Sequence, residues 1–291
     1  MTADECAELR KKHYNATVAA IRWANSDLMA VRIRPDFPLP NHKPGQYSTL
    51  GLGAWEPRVE GCQPETISPA DERKLIRRAY SISCPILDDN GALLDRDRID
   101  WLEFYIVLVR ETDHNPPALT PRLFNLKEGD RLFLGEKITG HFTLDPVKPA
   151  DSVVFLSTGT GEAPHNYMLW DLLRRGHQGP ILAACCVRYR RDLGYLALHE
   201  ELMRRFPCRR LSIHQGKEDI RSALGARGQE AFGLENSHER QDRCVSIFSL
   251  ERFDDLGDGS GAFGPNDLHD PVFGVGQSRG FLAWHGSKSF Y

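Results

Sequence analysis

A continuous apolar run, Val153-Val154-Phe155-Leu156, leads into the glycine turn Thr158-Gly159-Thr160-Gly161 and then into a helical pattern opened by Pro164. A short unbroken run of this kind marks a strand buried on both faces, the situation of a parallel strand covered by helices. Met168, Leu169, Leu172 and Leu173 then fall on one helical face, which Gly176 ends. Pro180 to Val187 repeats the buried-strand pattern and Tyr195 to Phe206 the helical one. The β-α-β-α order calls for a parallel sheet in this part of the chain.

Upstream, the periodicity is different. Short alternating runs occupy Ala16 to Trp23, Leu28 to Ile33, Gln46 to Leu50, Tyr80 to Ser83, Leu102 to Val109, Arg131 to Leu134 and His141 to Leu144, with turn residues between them. Such spacing predicts a closed antiparallel barrel. Pro121 to Leu126 reads as a short helix, and the Gly- and Pro-rich loop from Gly51 to Glu72 is long enough to be an insertion or a functional element. The character changes at Pro146 to Asp151. The expected organisation is a barrel domain over 1–148 and an α/β domain over 149–291, the latter atypical from 211 onward; Val245 to Leu250 is a weaker strand candidate there.

A chain of 291 residues fits two domains, and a net charge of -3 gives no global reason for nucleic-acid binding. No apolar stretch is long enough to enter and span a bilayer, and Met1 to Tyr14 is charged and lacks a signal-peptide core. The 7 cysteines include no C-x-x-C pair, which argues against a disulfide framework and a zinc or iron–sulfur site, and suits a reducing cytoplasm. Cys185 and Cys186 read as small buried hydrophobes, and the 11 histidines make no ligand spacing.

Two motifs carry chemistry. Arg78-Ala79-Tyr80-Ser81 joins a guanidinium, a ring and a hydroxyl, and in a strand Arg78 and Tyr80 share a face. The guanidinium suits a pyrophosphate, the ring a flavin, and the hydroxyl the reactive flavin edge. The same residues also read as an exposed arginine beside a half-buried tyrosine. The turn Thr158-Gly159-Thr160-Gly161, with Ala163 and Pro164 opening the helix, lets backbone N–H groups approach phosphate. It is G-x-G-x-x-P and departs from the G-x-G-x-x-G fingerprint. Glu162, inside the turn, is expected to face solvent or cap the helix. At the end of the second parallel strand, Arg188-Tyr189-Arg190-Arg191 offers cations where the extra phosphate of NADP would lie, or else a solvated basic loop.

Taken in order, these segments resemble the ferredoxin (flavodoxin)–NADP reductase family, especially its bacterial type. The resemblance runs through Leu102 to Val107, Leu119-Thr120-Pro121-Arg122-Leu123, Leu126 to Asp130, Ser157 to Pro164, and Val187-Arg188-Tyr189 with Tyr195, covering about residues 15 to 210. It implies an FAD-binding barrel followed by an NADP-binding α/β domain, with hydride transfer at the flavin and an acidic ferredoxin or flavodoxin as electron partner. It further implies that Arg78 to Ser81 grip the flavin and its pyrophosphate, with Tyr80 and Ser81 at the reacting ring. Tyr105 would lie by the ribityl and adenosine side, while Ala118, Leu119 and Thr120 would offer main-chain contacts to the FAD phosphates. Thr160 would sit between flavin and nicotinamide. Basic pairs such as Arg73-Lys74, Arg77-Arg78 and Arg204-Arg205 would steer the partner, or are solvated faces.

Beyond Leu211 the resemblance stops. The family's T-R-E stretch and its Cys-Gly turn are missing, although Tyr291 stands where a flavin-covering terminal aromatic would be. Leu211 to Gly216 can be encoded so that a one-base shift reads Tyr-Pro-Phe-Thr-Arg-Glu, which makes this stretch a shifted frame or a divergent terminus. The alternatives in function are a flavin reductase module for another acceptor and a flavin-binding protein with an impaired nucleotide domain.

Overall fold

The computed structural model describes residues 1–179, 181–205, 210–215 and 244–249, the last two segments as backbone. They fall into two compact units: Met1–Leu144 with Asn166–Trp170, and Asp145–His165 with the residues from Asp171 on.

The first unit opens with a helix, α1 (Ala3–His13), which hydrophobic periodicity does not reveal. Its signal lies in the capping residues: Thr2 and Glu5 form a reciprocal capping box, with Glu5 N donating to Thr2 Oγ1 and Thr2 N donating to Glu5 Oε2. No residue of α1 is buried. It is tied down instead by Arg10, which grips Glu56 with two hydrogen bonds of 2.8 and 2.7 Å.

Six strands follow: β1 (Ala16–Asn25), β2 (Leu28–Pro35), β3 (Tyr47–Gly53), β4 (Leu75–Ser83), β5 (Leu102–Val107) and β6 (Arg131–Leu134). They close into the expected barrel in the order β1-β2-β5-β4-β3-β6, every pairing antiparallel. Short β6 closes it by pairing at Ala16↔Leu132 on one side and Leu50↔Leu134 on the other. The inward set (Ala16, Ile33, Leu50, Phe104, Leu132, Leu134) is wholly shielded from solvent.

His141 to Leu144, expected as a strand, is irregular. Only Thr139 bridges to Tyr47, and Gly140 then turns the chain at φ +128°. Gly45, at φ +94°, lies so close to the carbonyl of Phe142 that a Cβ would fall 1.8 Å from that oxygen. The segment therefore packs on the Gly45 turn instead of extending the sheet. The expected short helix is α2 (Thr120–Leu123).

β7 (Val153–Thr158) of the second unit leads through a 3-10 turn, Gly159–Gly161, into α3 (Glu162–Arg174), whose Asn166–Trp170 are grouped with the first unit. Gly176, at φ +65°, follows the helix end as a left-handed cap. Then come β8 (Ile181–Val187), α4 (Leu196–Arg205), β9 (Arg210–Gln215) and β10 (Cys244–Ser249). The sheet order is β7-β8-β10-β9. β7 and β8 pair in parallel, as the βα pattern requires, whereas β10 runs antiparallel to both its neighbours. The sheet is thus mixed among the described residues: the weak strand candidate near Val245 inserts between β8 and β9, and an antiparallel neighbour needs no crossover helix.

Candidate functional site

In the first unit, β4 pairs with β3 from Tyr47↔Ser81 to Gly53↔Leu75, but with β5 only at Ile82 and Ser83. Ile82 N donates to Gln46 O and Lys74 O accepts from Ala54 N, which sets the even-numbered residues of β4 as those bonded to β3. The N–H and C=O groups of Arg77, Ala79 and Ser81 therefore point to the free edge. Arg78 and Ala79 are exposed there, and Tyr80 and Ser81 half-buried. The Arg78 guanidinium donates to Arg77 O at 2.8 Å, filling one of these edge positions. Burial raises the Tyr80 phenol well above its ordinary range, against the pull of the Arg78 charge, so its hydroxyl stays protonated.

The segment Ala118-Leu119-Thr120 lies at the Leu75 end of this edge. Thr120 Oγ1 accepts from Val109 N, just past the end of β5, and Arg122 donates to Ala54 O, just past the end of β3. β3 runs antiparallel to β4, so its end lies beside the start of β4, and β5 runs antiparallel to β4 in the same direction. Ala118 and Thr120 are half-buried and Leu119 is buried. Tyr105 is only 4% exposed within β5, so its ring belongs to the packed wall.

Arg122 is a further residue of this region, one that its motif does not mark as part of a site. Its side chain is buried, donating to Glu65 at 2.8 Å and to the carbonyls of Ala118 and Ala54. A charge flanked by Pro121 and Leu123 in an apolar turn is the one local signal of its role. The long loop supplies its partners: Glu65 also lies 3.5 Å from Arg58 Nε, and Arg58 donates to the carbonyls of Gln63 and Pro117. Arg110, bound to Asp27, reaches the loop carbonyls of Glu60 and Gly61. Gly51 to Gly53, expected as loop, belong to β3, and the connection that follows, from Ala54 to Lys74, is a fastened element of the barrel.

In the second unit, Thr158, Gly159 and Thr160 are half-buried at the carboxyl end of β7, while Gly161, Ala163 and Pro164 are buried. Gly159 adopts φ +54°, with no atom within 4 Å of where a Cβ would project. The next strand, β8, ends beside it, since Thr158 pairs with Cys186. Arg188, Tyr189, Arg190 and Arg191 follow, all exposed, with the Arg191 guanidinium 4.7 Å over the Tyr189 ring. A glycine turn and a cationic loop thus lie at the carboxyl ends of adjacent parallel strands, residue types that could hold a phosphate-bearing ligand.

Beneath this turn the structure corrects one expectation. Glu162 is buried, not in solvent, with Oε1 3.7 Å from His199 Nδ1. Burial holds His199 down to about 4, so near neutral pH it is uncharged and the contact is not an ion pair. Cys185 is buried as expected, and its thiol donates to Gly159 O at 3.7 Å. Burial, together with the Glu162 charge, raises that thiol well above its usual range, which makes it a poor nucleophile. Tyr291 lies outside the described residues. Among the described residues no helix is long and apolar enough to cross a membrane, and no cluster of His, Cys, Asp and Glu is placed to hold a metal ion.

No family model matches the chain. The flavodoxin/ferredoxin–NADP reductase of Shigella flexneri is 37% identical over 166 residues, 56% of this chain and 52% of that one. The Buchnera aphidicola protein of the same name is 32% identical over 135 residues, 46% of each chain. The ferredoxin–NADP reductase of Pseudomonas aeruginosa is 28% identical over 182 residues, 62% of this chain and 57% of that one. The chain spans about half the length of the curated relatives it matches. A solved ferredoxin NADP+ reductase from Neisseria gonorrhoeae, with bound FAD and NADP, aligns over 66% of this chain and 64% of that one at 19% identity, with a TM-score of 0.47. In its matched part the chain is homologous to the flavodoxin/ferredoxin–NADP reductases.

Proposed function

We propose, from that homology, that the chain is a flavin-dependent oxidoreductase moving electrons between NADP(H) and ferredoxin or flavodoxin. The observation that carries the reading is the open edge of β4: backbone groups of Ala79 and Ser81, the Arg78 guanidinium and the half-buried Tyr80 ring sit together where a flat, hydrogen-bonding ring system with a phosphate tail would fit. When bound, FAD would supply the exchange between a hydride and single electrons; the chain's part is to bind and orient. Ser81 would place its hydroxyl, and the edge its N–H and C=O groups, along the rim of the ring. Tyr80 would lie against the ring, and Arg78 with the Ala118–Thr120 segment would take the phosphates. The Gly159 turn would receive the nicotinamide dinucleotide's pyrophosphate on backbone N–H groups, and Arg188 and Arg190 its 2′-phosphate.

Anaerobic stopped-flow mixing of the FAD-loaded protein with NADPH tests this. The flavin absorbance is expected to bleach rapidly with NADPH and more slowly with NADH. Retained yellow colour with no bleaching would leave a flavin-binding protein and end the oxidoreductase reading. Equal or faster bleaching by NADH would remove the role of Arg188 and Arg190. Reoxidation by flavodoxin or ferredoxin supports the named partners, and reoxidation only by other acceptors replaces them with a reductase module of different service.

A further inference from the structure

We infer that Arg58 and Arg122, held together by Glu65, are positioning residues that aim the N–H groups of Ala118 and Leu119 at the phosphates of the bound flavin dinucleotide; the inference rests on the FAD reading above. Two successive carbonyls are each held by a guanidinium. Arg58 Nη2 donates to Pro117 O at 2.9 Å, and Arg122 Nη1 donates to Ala118 O at 2.6 Å. A peptide unit is planar and, with no cis bonds among the described residues, trans, so each N–H points opposite to the carbonyl it is bonded to. Fixing Pro117 O and Ala118 O toward the guanidinium groups therefore turns the N–H groups of Ala118 and Leu119 the other way. Among the described residues neither N–H has a partner. Ala118 precedes α2, so its N–H is not an orphan donor of the helix start; Leu119 is the N-cap of that short helix. Two consecutive N–H groups with no partner among the described residues are donors open to a phosphate.

The grip is itself braced. Glu65 Oε2 accepts from Arg122 Nη1 at 2.8 Å and lies 3.5 Å from Arg58 Nε, so one carboxylate holds both cations. Val59 N donates to Pro121 O at 2.9 Å, and Arg122 Nη2 to Ala54 O at 2.8 Å, which lock the loop onto the same segment. The long loop thereby carries Arg58 and Glu65 to the back of the phosphate-facing peptides, and neither side chain need touch the ligand.

The test measures binding of FAD and of riboflavin, which has no phosphate, to the full-length apoprotein and to Arg58→Ala, Glu65→Gln and Arg122→Met, alongside thermal unfolding. Folded Arg58→Ala and Glu65→Gln are expected to lose at least about tenfold in FAD affinity while binding riboflavin as the unsubstituted protein does. Should Arg122→Met or Arg58→Ala fail to fold, Glu65→Gln, which keeps the side-chain shape, decides. FAD affinity unchanged in a folded variant, or FAD and riboflavin weakened by the same factor, would overturn the positioning role alone. An unsubstituted protein that binds no FAD would overturn the flavin reading and this inference with it.

Discussion

Ser81 and Tyr80 are neighbours in sequence yet project to opposite faces of β4, while Ser81 also presents its backbone to the free edge. Under the proposed function the two side chains therefore do different work. Ser81→Ala is expected to retain FAD and to slow flavin reduction by NADPH about tenfold or more, the cost of one lost hydrogen bond to a reacting edge of about 1–3 kcal/mol. Tyr80→Ala is expected to weaken flavin binding itself. A Ser81→Ala enzyme reduced as fast as the original would withdraw that residue from the reaction. The motif around these residues could be singled out because a guanidinium, a ring and a hydroxyl lie within four successive residues. Arg58 and Glu65 were not, because their value comes from carbonyls far away in sequence, and no local pattern records which carbonyls a guanidinium will meet.

At the scale of elements, α3 and α4 each bury a histidine. His165 stacks on Phe155 of β7 with ring centroids 4.9 Å apart, and burial holds it down to about 3; His199 on α4 is held to about 4 by the same cause. Both folded values lie below the ordinary 6.5, so the folded chain keeps these rings neutral while the unfolded chain takes up protons as the pH falls. Their contribution is intact above about pH 6.5 and declines as the pH drops toward 4, by at most about 1.4 kcal/mol per pH unit for each ring. Urea midpoints at pH 7 and pH 5 measure this: the midpoint should fall at pH 5, and His165→Phe, which keeps an aromatic ring on Phe155, should lessen the fall. Midpoints that coincide at the two pH values in the unsubstituted protein would contradict the linkage. Elements with strong periodicity, such as β7, α3 and β8, were legible within a residue or two of their ends. His141 to Leu144 was not, since its alternation is genuine and its fate was decided by Gly45 and Gly140.

At the scale of the whole chain, the three curated relatives match only 46–62% of the sequence, and the resemblance read from its motifs is expected to stop near Leu211. If a shifted reading frame is the cause, the coding DNA read one base out of register from about Leu211 is expected to encode a Thr-Arg-Glu stretch and a family-like continuation. Three-frame translation checks this directly; no such continuation in either alternative frame makes the terminus a divergent one. The described part of this region adds β9 and β10 to the sheet, with β10 antiparallel between β8 and β9.

Hydrophobic periodicity alone determined that a barrel-forming half precedes a βα half, because burial on one face or on two writes itself into every second or every residue of a strand. It also placed the glycine turn, since only a residue without a Cβ readily accepts the positive φ at Gly159. Tertiary structure decided which edge of β4 stays open, that Glu162 lies buried against His199, and that a loop of no evident pattern is bound to the barrel through Arg58, Glu65 and Arg122. Those outcomes depend on contacts between residues tens of positions apart, whose free energies are fixed by geometry that no local run of residues contains.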